Sequence, residues 1–106
     1  MAGDRIFMEH VMGLLDPVDG VMSRAMFGGY GIFHEGDMFA LISDSRLYFK
    51  VSESNRDRFL EAGSEQFMSM PYYEVPTEVM EDRQTFLEWV EVSVAIGHAT
   101  AKKRKK

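Results

Sequence analysis

Residues 23 to 51 hold the feature that most restricts the fold. "SRAMFGGYGIFH", "DMFALIS" and "RLYFKV" are three runs rich in β-branched and aromatic residues, separated only by the reversals "HEGD" at 34 to 37 and "SDSR" at 43 to 46. Connections this short join antiparallel neighbours, because a parallel crossover needs about a dozen residues or more. Gly36 can take the positive φ of a tight turn. A three-stranded meander is expected. Alternation puts Leu47, Phe49 and Val51 on one face and Arg46, Tyr48 and Lys50 on the other, whereas the preceding strand is apolar on both, with Phe39 and Leu41 opposed to Met38, Ala40 and Ile42. That strand is expected to be central. Inside the first run, Gly28, Gly29 and Gly31 read as a bend or bulge, where missing Cβ atoms allow strong twist and close approach.

Helical patterns flank the meander. Phe7, Val11, Leu14 and Leu15 recur at helical spacing between residues 4 and 15, with Asp4 near the start and Pro17 and Gly20 beyond the end. "SESNRDRFLEAG" reads as a short helix with Ser52 as N-cap and Gly63 as terminator. In "EQFMSMPYYEVP", Pro71 and Pro76 limit strand structure to an edge or to short pieces. A long helix is expected from near Thr77 or Asp82 to about Ala99, burying Phe86, Trp89, Val90, Val94 and Ile96. The sequence therefore predicts an α+β fold of two layers, an antiparallel sheet of about five strands with helices on one face, in the order α-β-β-β-α-β(-β)-α.

A chain of 106 residues, 45% of them hydrophobic and 27% charged, suits one domain with one core. That domain is expected over residues 1–100, with 101–106 as a basic tail. The last five of the 12 basic residues form the terminal "KKRKK", which leaves seven against 17 acidic ones in the body. An acidic globule with a basic end can direct that end to a polyanion. No cysteine is present, which excludes disulfides, thiolate metal sites and a catalytic thiol. The apolar residues at the N-terminus are interrupted by Asp4, Arg5, Glu9 and His10, and no apolar run approaches the roughly 20 residues of a membrane-spanning helix. A cytoplasmic protein without membrane contact is expected.

The residues that carry chemistry elsewhere do not assemble into a site here. "GGYG" leads into "IFH" rather than into a helix, and no lysine or Ser/Thr pair follows, so a phosphate cradle is not expected. His10, His34 and His98 lack the i,i+4 spacing of a helical zinc site. Ser43, Asp44 and His34 can be written as a hydrolytic triad, but no "GxSxG" elbow exists and Ser43 and Asp44 sit in a turn. The many carboxylates read as solvated helix faces. No catalytic residue, cofactor or metal is expected. Nine methionines, Met8, Met12, Met22, Met26, Met38, Met68 and Met70 among them, suit packing and also adaptable partner surfaces.

Taken together, "RAMFGGYGIFHEGDMFALISDSRLYFKVSESNRDRF", "MPYYEVP" and "FLEWVEVSVAI" closely resemble the N-terminal domain of the TfoX/Sxy family of bacterial competence regulators, from about Ser23 to Ile96. The resemblance implies a two-layer α+β domain without catalytic residues, here as a stand-alone domain, and structural work for Gly28, Gly29 and Gly31, beside the turn role already read for Gly36. It further implies regulation at the level of transcription, where family regulators act with the cyclic-AMP receptor protein at promoters of DNA-uptake genes. The expected function is thus a non-enzymatic regulatory module that contacts a protein, with transcription machinery as the candidate partner. Tyr30, Tyr48, Tyr72 and Tyr73 are its candidate contacts, since amphipathic rings suit a half-exposed surface. A second reading is nucleic-acid binding through Arg24, Lys102, Lys103, Arg104, Lys105 and Lys106. A third is a ligand or substrate pocket against the glycine-bearing strand, and an edge strand such as "YYEV" offers a route to a homodimer.

Overall fold

The computed structural model of the chain describes residues 2–26 and 28–104; Met1, Phe27, Lys105 and Lys106 lie outside it, as do the side chains of Ala2 and Arg104. Its elements are α1 (Ala2–Leu14), β1 (Val21–Met26), β2 (Gly29–His34), β3 (Asp37–Ser43), β4 (Arg46–Lys50), α2 (Arg56–Glu61), β5 (Tyr72–Glu74), α3 (Thr77–Glu81) and α4 (Arg83–Arg104). The five strands form one sheet in the order β1-β2-β3-β4-β5, and every neighbouring pair is antiparallel. The predicted α+β architecture with an antiparallel sheet is the one observed.

All four helices place apolar side chains on one face of the sheet. Val11, Phe59, Val79, Phe86 and Val90 meet Ile32, Ala40, Ile42, Leu47 and Phe49 in the main core. Each fully buried aliphatic or aromatic side chain there is worth about 1.5–3 kcal/mol of apolar transfer. The opposite face carries a smaller cluster of Leu41, Tyr48 and Tyr72, roofed by Phe67 and Met70 from the segment between α2 and β5. That segment also occupies the outer edge of β5, where Gln66 bridges to Tyr73, the Phe67 N–H donates to the Tyr72 carbonyl and the Glu74 N–H donates to the Glu65 carbonyl. The outer edge of "YYEV" is therefore occupied by the chain itself, and β1 is the sheet's other edge.

Four local expectations change. The first predicted strand is two strands, β1 and β2, joined by a tight reversal at which Gly28 has φ +74°. The bulge lies elsewhere: Ile32 pairs with Ala40 and Phe33 with Met38, so Phe39 is an extra residue in β3. It resets the alternation. Phe39 consequently joins Ala40 and Ile42 under the helices, and Met38 turns to the face of Leu41. Residue 55 rather than Ser52 precedes α2; the Asn55 amide accepts from the Ser52 N–H and donates to the Lys50 carbonyl, closing the end of β4. Finally, Asp82 is extended (ψ 100°) and divides α3 from α4, and α4 continues to Arg104, so part of the expected tail is helix.

Candidate functional site

Two regions gather the residues with chemical potential. The first lies where the β2–β3 hairpin meets the far half of α4. Glu35 and Gly36 both have positive φ, 49° and 92°, the geometry of a two-residue hairpin turn that follows the right-handed twist of its strands. The turn sets His34 opposite Asp37 at the hairpin's end, and the Glu35 N–H donates to the Gly20 carbonyl ahead of β1. From α4, His98 inserts between them: its Nδ1 lies 2.6 Å from Asp37 Oδ2 and its Nε2 lies 2.8 Å from His34 Nδ1. With Asp37 ionised and His98 neutral, His98 Nδ1–H donates to the carboxylate and leaves Nε2 as acceptor of the His34 Nδ1–H. The imidazoles meet edge to face, 5.1 Å apart at their centres.

No spacing rule could have shown this cluster, because its two histidines are 64 residues apart. The readable signals were only that His34 flanks a turn and that His98 lies on an apolar helix. The triad that can be written from His34, Ser43 and Asp44 does not form: β3 separates its members, with His34 beside Asp37 and Ser43 at the strand's other end, about 20 Å away.

The second region is the outer face of the sheet. Across β1 and β2, Arg24 stacks its guanidinium over the Phe33 ring at 5.3 Å, Met26 fills the space that a Cβ on Gly31 would take, and Met22 is 49% exposed. The four tyrosines do not share this surface. Tyr48 and Tyr72 are buried beneath Phe67, and Tyr30 and Tyr73 are half-buried against the main core from the helix side. Burial turns the first two from surface contacts into packing residues, because each lies on the roofed part of the sheet. Burial also raises the Tyr48 phenol above its ordinary pKa, opposed by the neighbouring Arg46 guanidinium. Arg46 is in turn held more firmly protonated, chiefly by Glu74.

The remaining expected residues are dispersed. Lys102 and Lys103 are exposed on the last turns of α4; Arg104 is described only in its backbone, and Lys105 and Lys106 fall outside the described residues. The glycines act through backbone geometry: Gly28 and Gly36 serve turns, and Gly29 faces the Ile42 carbonyl with no room for a Cβ. One cavity, of about 510 Å³ between α1, α3 and β4, is lined by Phe7, His10, Leu47 and Met80, with Arg46 and Glu74 at its polar side; another, of about 360 Å³ between α4 and the segment after α1, touches the glycine-bearing strand only at His34. Among the described residues no helix is long and apolar enough to cross a membrane.

Similarity to known proteins covers most of the chain. The family model described as TfoX N-terminal domain matches residues 13–96. A DNA transformation protein, TfoX1 of Aliivibrio fischeri (strain ATCC 700601 / ES114), is 48% identical over 44 residues, a segment covering 42% of this chain and 21% of that relative.

Proposed function

The chain belongs to the TfoX N-terminal domain family, and from that membership we propose that it is a non-enzymatic regulatory module acting in transcription through contact with another protein. The observation that carries this reading is the unroofed part of the sheet. Beside the edge strand β1, Met22, Arg24, Met26 and Phe33 combine adaptable thioethers, an aromatic ring and a stacked cation. An extended segment of a partner protein can add to such an edge through main-chain hydrogen bonds while its side chains meet this surface. The likeness to a DNA transformation protein supports a regulated process connected with DNA uptake.

The test is a deletion strain whose transcripts are compared after complementation with the parent chain and with a Met22→Asp/Arg24→Glu variant. Both positions lie on the edge strand away from the main core, so the variant should keep the parent's melting temperature within a few degrees. The parent restores the transcript profile and the folded variant does not. Full restoration by the variant, or a deletion without transcript changes, would overturn the reading.

Nucleic-acid binding is the second reading, favoured by one observation. α4 continues to Arg104 and presents Lys102 and Lys103 to solvent on its last turns.

A further inference from the structure

We propose that His34, His98 and Glu35 form a binding site for a divalent transition-metal ion of the zinc class, with Asp37 as the carboxylate that orients His98. The nearest donor atoms of His34, Glu35 and His98 all lie within 4.8 Å of one another. The His34 Nδ1 and His98 Nε2 separation of 2.8 Å is close to the about 3.3 Å between two nitrogens bound tetrahedrally at zinc–nitrogen distances. Ligation requires the pair to open from 2.8 Å to about 3.3 Å, both rings to turn so that their lone pairs converge, and the exposed Glu35 side chain to rotate toward them.

The surrounding bonds prepare this donor set. A metal-bound histidine usually gives its other ring N–H to a carboxylate, which fixes the tautomer and raises ligand basicity, and His98 already does so toward Asp37 at 2.6 Å. Its Nε2 therefore carries the lone pair that a cation needs. In the neutral tautomer described above, His34 Nδ1–H donates to that lone pair; on binding, the proton relocates to His34 Nε2 and frees Nδ1 as the second ligand. Glu35 supplies an oxygen ligand and negative charge, and its backbone is held by the hairpin turn and by the Gly20 carbonyl. Two nitrogens and one carboxylate oxygen match zinc, cobalt or nickel better than magnesium or calcium, which take oxygen ligands. Three protein ligands leave a fourth position for water.

The consequence is structural. The ligands come from α4 and from the β2–β3 hairpin, so a bound ion would pin the far half of α4 to the sheet. Because the unfolded chain holds no such site, binding adds directly to folding stability.

The experiment is isothermal titration of the untagged chain with zinc chloride, paired with cobalt chloride absorption and histidine ring NMR. One zinc per chain is expected, with ligand-field bands in the cobalt complex and ring shifts at His34 and His98 but not at His10. Asp37→Asn should weaken zinc binding about 10–100-fold, and His34→Gln and His98→Gln should each weaken it at least as much, whereas His10→Gln leaves it unchanged. Zinc should raise the melting temperature of the parent and not that of His98→Gln. Absence of saturable binding at submillimolar zinc overturns the proposal, as does parent-like affinity in a folded His98→Gln variant. Should a variant fail to fold, the parent's NMR decides alone: shifts centred on His10 or on no histidine refute the site.

Discussion

Gly97 of α4 lies so close to Met38 of β3 that a Cβ at Gly97 would stand 2.7 Å from the Met38 carbonyl oxygen. The next residue is His98, so the absent side chain is what lets the helix bring that imidazole down onto Asp37 and His34. A Gly97→Ala change gains about 1 kcal/mol of helix propensity and incurs about 1–3 kcal/mol of overpacking. Net destabilisation is expected in a denaturant melt, together with loss of the zinc-induced rise in melting temperature. Gly29→Ala should be the more severe, about 3 kcal/mol, since its Cβ would fall on the Ile42 carbonyl. Gly28→Ala has open space and carries only the strain of its positive φ, about 1 kcal/mol.

Phe49 is fully buried at the centre of the main core and packs its ring against Phe39 and Phe86. Phe49→Ala should cost about 3–5 kcal/mol. Leu60 is just as apolar but 53% exposed on α2. Leu60→Ala should stay within about 0.5 kcal/mol, and equal losses for the two in urea unfolding would contradict the placement of the core.

Alkaline titration should report on Tyr48. Its folded pKa is raised by burial above the ordinary phenol value of about 10. The unfolded chain therefore loses this proton first as pH rises, and the folded state holds more protons in the interval. Stability from this group is complete below pH of about 10 and falls as pH climbs through the folded value. Tyr48→Phe should flatten that alkaline decline in a melting-temperature series. It should also remove, from an ultraviolet pH titration, a phenol that ionises above the ordinary range.

Binding of duplex DNA tests the helix end. Fluorescence anisotropy across several salt concentrations should show affinity that falls steeply with salt for the intact chain. In the Lys102→Ala/Lys103→Ala variant the slope of log affinity against log salt should shrink by about 0.9 for each phosphate no longer neutralised. Salt-independent binding, or none at low salt, would remove nucleic acid from the functions of this chain and leave the protein partner.

The secondary structure and its arrangement were legible in the residues alone, because both follow from local rules: period-two and period-3.6 apolar patterns, and turns too short for anything but antiparallel neighbours. The misreadings were local too. The glycine-rich run hid a hairpin, since a bend and a reversal use the same residues, and the extra residue Phe39 could not be seen without Ile32 and Phe33 across the strand pair. Which faces stay open is a matter of tertiary packing. Phe67 roofs Tyr48 and Tyr72, Glu65 and Gln66 seal β5, and Arg24 is left stacked at the exposed end of the sheet. The meeting of His34 with His98 has the same origin, because contacts across 64 residues depend on how a helix seats on a sheet, and that seating depends on the missing side chain of Gly97.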